Sequence, residues 1–153
     1  MANIVFNIAK GRVVEYYNRV KSNDPANSAL IIVPLETSGL ESDATLIDKD
    51  DLAALIAGAT NEQTTMGRKT LTDADLASLP APDDSNDRYD ISLPTVTWSA
   101  ASGNAISKLV VCYDGDTTGG TDSNIIPLTM FDFVQTPSGA DIQMTGGTFF
   151  RAS

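Results

Sequence analysis

From Thr95 onward the chain carries its apolar residues in short runs, each closed by glycine, proline, asparagine or aspartate. No other feature constrains the fold as much. Turn-bounded runs rich in β-branched and aromatic residues are too short for a self-sufficient helix and read as β-strands. Thr95–Ser99 alternates, with Val96 and Trp98 on one face, and Ile106–Tyr113, the most apolar stretch, predicts a central strand. A loop from Asp114 to Asn124 holds Gly115, Gly119 and Gly120. Ile125–Val134 then predicts another strand, at an edge, because Pro127 has no N–H to give a ladder. Asp141–Thr145 and Thr148–Arg151 predict a hairpin closing on Gly146-Gly147, a pair suited to positive φ.

The first half is more mixed. Phe6, Ala9, Val13, Tyr16 and Val20 recur at spacings of three and four, which predicts an amphipathic helix from about Asn7 to Lys21. Gly11 opposes it by about 1 kcal/mol relative to alanine, and Val13-Val14 with Tyr16-Tyr17 also suits a strand. Ser22–Asn27 is a turn, since Asp24 precedes a proline and is pushed out of the α region. Ala29–Val33 predicts a buried strand ending at Pro34, Thr37–Asp43 a loop, and Thr45–Ile47 a brief strand. Asp48 is placed to cap a helix with Asp50 and Asp51 in its first turn, Leu52–Ala57 as its body and Gly58 as its stop. Asn61–Arg68 is polar and aperiodic. Lys69–Thr72 reads as a strand, and Asp73–Leu79 as a helical turn stopped by Pro80 and Pro82. The acidic, turn-rich Asp83–Asp90 leads into an alternating strand, Tyr89–Leu93. No internal repeat is present.

These elements predict an α+β, mainly β fold: a compact antiparallel sandwich or barrel with one or two short helices. A length of 153 residues suits one domain, able to bury about 70% of its unfolded surface. At 42% hydrophobic and 20% charged the composition is that of a globular protein. Charge divides the chain unevenly. Residues 1–21 hold Lys10, Arg12, Arg19 and Lys21 against Glu15, a balance of +3, while residues 22–153 hold six bases against nineteen acids, or -13. The organisation expected is a basic N-terminal segment, 1–21, forming a helix or an interface arm, followed by a single acidic β-rich domain, 22–153.

Composition also removes functions. With no histidine there is no Ser-His-Asp or Cys-His pair and no His-containing zinc site. A net charge of -10 opposes nucleic acid and anionic membrane surfaces, so neither is an expected partner. The single cysteine, Cys112, lies in an apolar run and reads as a core hydrophobe. Neither a signal peptide nor a membrane span is legible, which predicts a soluble protein made in a cytosol.

The acidic loops are the only chemical feature. Asp114, Asp116, Thr118 and Asp122 could offer oxygen to Ca²⁺, with Gly119 where an EF-hand loop has its glycine, but position twelve is Ile125 rather than glutamate. That loop and Asp83–Asp90 read as exposed turns. No carboxylate pair stands out for hydrolysis, and Gly115–Gly120 lacks the Lys-Ser/Thr of a phosphate loop. No catalytic, cofactor-binding or metal-binding residue is therefore expected, and the chain reads as a non-enzyme. Contact residues are easier to nominate. Arg12, Tyr16, Tyr17 and Arg19 are types enriched at interfaces. Phe149, Phe150 and Arg151 form either the last core strand or an anchor into a neighbouring subunit.

The stretches Phe6–Arg12, Ser22–Leu30, Leu79–Asp90, Val111–Leu128 and Phe149–Ser153 resemble small virion proteins of tailed bacteriophages, and the resemblance spans essentially the whole chain. It implies a structural role, most like that of a capsid decoration (cement) protein. Such proteins sit on the outer capsid surface of the virion after synthesis in the host bacterial cytoplasm. They form small homo-oligomers, here a dimer or trimer, and brace the major capsid protein. The alternative is a neck, tail or surface attachment module that binds a host glycan or receptor.

Overall fold

The computed structural model describes residues 4–153. Its main sheet is built on two long apolar strands. In β2, Ala29–Glu36, and β6, Ile106–Asp114, nearly every residue is buried, so both faces are covered and the sequence shows a continuous apolar run rather than alternation. With β1 (Ile4–Val5), β3 (Lys69–Leu71) and β7 (Ile126–Gln135) they form a five-stranded antiparallel sheet in the order β1-β7-β6-β2-β3. Among the described residues both edge strands are short.

Two prolines sit inside this sheet. Pro34 does not end β2. Its carbonyl accepts from Gln63 N–H, on the side away from β6, and a strand residue's N and O point the same way. The missing donor therefore faces past the end of β3, and the β2–β6 ladder loses nothing. Pro127 corrects the expectation of an edge strand, because β7 lies between β1 and β6. It is accommodated at a register shift opposite Cys112, and β1 reaches only Thr129 and Met130.

The second β unit differs from the predicted hairpin. β4 (Tyr89–Leu93) pairs with β9 (Gly147–Ala152), and β5 (Val96–Trp98) pairs with β8 (Ile142–Met144). Gly146-Gly147 is no hairpin turn. Leu93 faces Gly147 and Val96 faces Met144 in one common register, so the two ladders form a single bent ribbon interrupted at Pro94-Thr95 and Thr145-Gly146. A Cβ on Gly146 would lie 2.7 Å from Leu93 O, Pro94 C and Thr95 N. Glycine is required there for close backbone approach.

Helices are short. The expected helix over 7–21 is divided: a 3₁₀ turn, Asn7–Ala9, is followed by Gly11 at φ +79°, and α1 begins only at Val13 and runs to Lys21. The expected strand at Thr45–Ile47 is instead α2, Asp43–Leu46, because the Ser42 hydroxyl accepts from Thr45 N–H and starts a helix. In α3, Leu52–Ile56, the cap is Asp51, accepting from Ala54 N–H at 2.7 Å, while Asp48 bonds Asn7. The short α4, Asp73–Leu76, is fixed by Asp75, which accepts from Thr72 N–H at 2.8 Å.

One core spans all of these elements. Val13, Tyr16, Tyr17 and Val20 on α1 join the same buried cluster as β2, β6, β7 and the ribbon. The N-terminal basic segment thus contributes a full helix face to the body's core.

Candidate functional site

Helix α1 has two faces with different chemistry. Spacings of three and four place Val13, Tyr16, Tyr17 and Val20 inward, leaving Arg12, Glu15 and Arg19 on the outer side. Glu15 accepts from Arg12 Nε at 3.2 Å and from Arg19 Nε at 3.1 Å, with Arg19 Nη2 at 3.0 Å. One carboxylate holds two guanidiniums, whose side chains remain 48% and 47% exposed. The Arg12 bond is the main reason the Glu15 carboxyl lies below its ordinary range, with Arg19 adding to it. Arg12 is correspondingly raised by Glu15.

Beneath the arginines lies a stack. The Arg12 guanidinium sits 4.5 Å from the Tyr16 ring centroid, and Tyr16 stacks on Tyr113 at 4.6 Å with ring planes 28° apart. Burial works against the Arg19 charge, and the bonds to Glu15 outweigh it. Both tyrosines are nearly fully buried. Arg12 is thus seated on a buried aromatic support.

The remaining nominated residues divide the same way. Tyr17 is wholly buried, in edge contact with Tyr89 and tilted against Phe149, each at 6.3 Å. Phe149 is core and Phe150 half-buried, while Arg151 is exposed and paired with Asp90, which also holds Arg88 at 3.2 Å. Arg151 in turn holds the Asp90 carboxyl below its usual value. Of the seven nominated residues, only Arg12, Arg19 and Arg151 offer open side chains for contact. Tyr16, Tyr17 and Phe149 serve the chain's own core.

The acidic loops use their carboxylates internally. Asp114 accepts from Asp116 N–H and Asp116 from Thr118 N–H, each at 3.0 Å, while Asp122 turns away to Arg68. Asp83 accepts from Ser85 N–H at 3.1 Å and Asn86 Nδ2 at 2.7 Å. Among the described residues no group of three or more cysteine, aspartate or glutamate side chains is placed to hold a metal ion. None of the described helices is long and apolar enough to cross a membrane.

Three features escaped the sequence. Arg68, in the aperiodic 61–68 stretch, is clamped by Glu62 at 2.8 and 2.7 Å and by Asp122 at 2.6 and 2.9 Å. Lys108 lies between Asp43, at 3.0 Å, and Asp132. A cleft of about 390 Å³ opens where the ribbon bends, floored by Leu93, Phe131, Met144 and Phe149. Each joins residues distant in sequence, and no local pattern announces such a meeting. Comparison of the chain with protein-family models, curated proteins and solved structures finds no match in any of the three.

Proposed function

We propose that the chain is a bacteriophage head decoration (cement) protein that binds the outer capsid surface as a homo-oligomer and stabilises the shell through contacts with the major capsid protein. The observation that carries this reading is the outer face of α1. There two arginines stand half-exposed, one of them over a buried aromatic stack, in a protein whose net charge is -10. A cationic patch on an acidic body suits attachment to an acidic protein surface, while the rest of the molecule stays solvated and repels polyanions. Such a role needs stiffness and surface chemistry rather than a reaction centre, and the resemblance to small phage virion proteins points the same way.

The test is stoichiometry on purified virions. Hundreds of copies per particle support decoration, whereas six or twelve place the chain at the neck or tail and favour an attachment module. Binding to undecorated capsids then locates the contact. Deleting residues 1–21 is unsuitable, because it removes Val13, Tyr16, Tyr17 and Val20 from the core. Reversing charge with Arg12→Glu and Arg19→Glu leaves the core intact and should abolish attachment.

A further inference from the structure

Three cations of the chain are matched or outnumbered by carboxylates. Arg68 is held by two, Lys108 by two, and Lys49 by Glu41. Two arginine pairs reverse the ratio: Arg88 and Arg151 share Asp90, and Arg12 and Arg19 share Glu15. The first pair lies at the acidic 83–90 loop, and Asp83 acts on the same Asp90 carboxylate. The second keeps an excess of positive charge. Each of its guanidiniums has five N–H donors in a planar fork and gives only one or two to Glu15. Both side chains are about half exposed, which leaves donors for a partner.

The two forks are also held in place. Arg12 is fixed by Glu15 and by the Tyr16 ring, and Arg19 by two contacts with Glu15, from Nε and from Nη2. Side-chain entropy that an ordinary surface arginine loses on binding has already been lost in the fold. We infer that Arg12 and Arg19 form a preorganised socket for a carboxylate side chain of a protein partner, which docks beside Glu15 and takes the donors Glu15 leaves free. The inference rests on the reading of α1 as the contact face and adds what that face recognises. A carboxylate suits the site better than a polyanion. The two forks can hold one carboxylate, whereas the body around them carries a net charge of -10 and repels extended runs of negative charge.

The experiment separates fork geometry from charge. Binding of an end-blocked tetrapeptide carrying a single glutamate to the full chain is followed by NMR at the arginine Nε–H signals, with the same peptide carrying glutamine instead and a short single-stranded DNA as competitors. Saturable shifts at Arg12 and Arg19 are expected with the glutamate peptide and not with glutamine. The variant Arg12→Lys/Arg19→Lys keeps the charge and loses the forks, and should bind about tenfold more weakly, read for both proteins from the backbone amide signals of α1. Equal response to both peptides, undiminished binding by the lysine variant, or tighter binding of the DNA overturns the socket. Failure of the decoration reading shows elsewhere, as low copy number on virions, so the two failures are distinct.

Discussion

Arg68 and Asp122 lie 54 residues apart and meet through two hydrogen bonds, Nη1 to Oδ1 at 2.6 Å and Nη2 to Oδ2 at 2.9 Å. Glu62 grips the same guanidinium from the other side, and Glu62 itself bridges to Leu35 on β2. One arginine therefore ties the aperiodic 61–68 segment to the loop after β6. Arg68→Ala should lose about 2–3 kcal/mol in urea denaturation, since it leaves the largely buried Glu62 without its partner. Asp122→Asn should lose only about 1 kcal/mol, because Glu62 remains and the site is partly open to solvent.

The same pair sets a pH dependence. The hydrogen bond from Arg68 holds the Asp122 carboxyl below its ordinary value of 3.8. A depressed folded value means that the contribution is fully present above the unfolded value and is lost as pH falls through the folded one. The stability gap between the native chain and Asp122→Asn should stay constant from neutral pH to about pH 4 and close below it. A gap that widened in acid would contradict the pairing.

Gly146 offers a purely steric test. A Cβ there would meet three backbone atoms of the Leu93–Thr95 segment at 2.7 Å, and backbone cannot swing aside as a flexible side chain can. Gly146→Ala should lose about 2–3 kcal/mol and weaken the pairing of β4 with β9. Gly119→Ala is the control, because its nearest neighbour, an Asp116 carboxylate oxygen, would lie at an ordinary 3.7 Å. Thermal melts of the two variants decide it.

Gly146 also marks where sequence reading reached its end. Strands β2, β4, β5, β6 and β7 were legible because alternation or continuous burial writes itself into consecutive residues. Partner choice is not local. Gly146-Gly147 carries the composition of a hairpin turn, yet β8 and β9 each pair with a strand from the 89–98 segment. At 45–47 the β-like Thr-Leu-Ile lost to a capping serine three residues earlier, a local signal that outweighed propensity. Arg12 and Arg19 were identifiable as contact types and Tyr16 fell on the apolar stripe of the expected helix, but what that face packs against, Tyr113 of β6 for Tyr16 and the ribbon for Tyr17, is not a local property.

Cys112 sits in mid-strand on β6, fully buried, and burial pushes its thiol well above the ordinary value. The thiolate is the reactive species, so the native chain should resist a thiol reagent at about pH 8 and react once denaturant is added. Labelling in native buffer should proceed at the rate of global opening. Rapid native labelling would place Cys112 outside the core.

Tyr17 separates the ring from its hydroxyl. The side chain is wholly buried, its hydroxyl has no partner at hydrogen-bond geometry, and burial pushes the phenol up to about 12, with the Ser92 main chain offsetting only part of that penalty. Removing the ring in Tyr17→Ala should lose about 3–5 kcal/mol, as for other large core aromatics. Removing only the oxygen in Tyr17→Phe should leave stability at neutral pH unchanged or about 1 kcal/mol higher, since a buried polar group without a good partner is a burden to the fold. The two variants should part further in alkali. A folded value raised above the unfolded one means stability is complete below about pH 10 and declines as pH rises through the folded value. The native chain should weaken between about pH 10 and 12, while Tyr17→Phe lacks that part of the decline, so its relative stability rises with pH. Parallel denaturation curves for both proteins across that range would show that the Tyr17 hydroxyl is solvated, and that α1 packs less tightly against β9 than the ring contact with Phe149 implies.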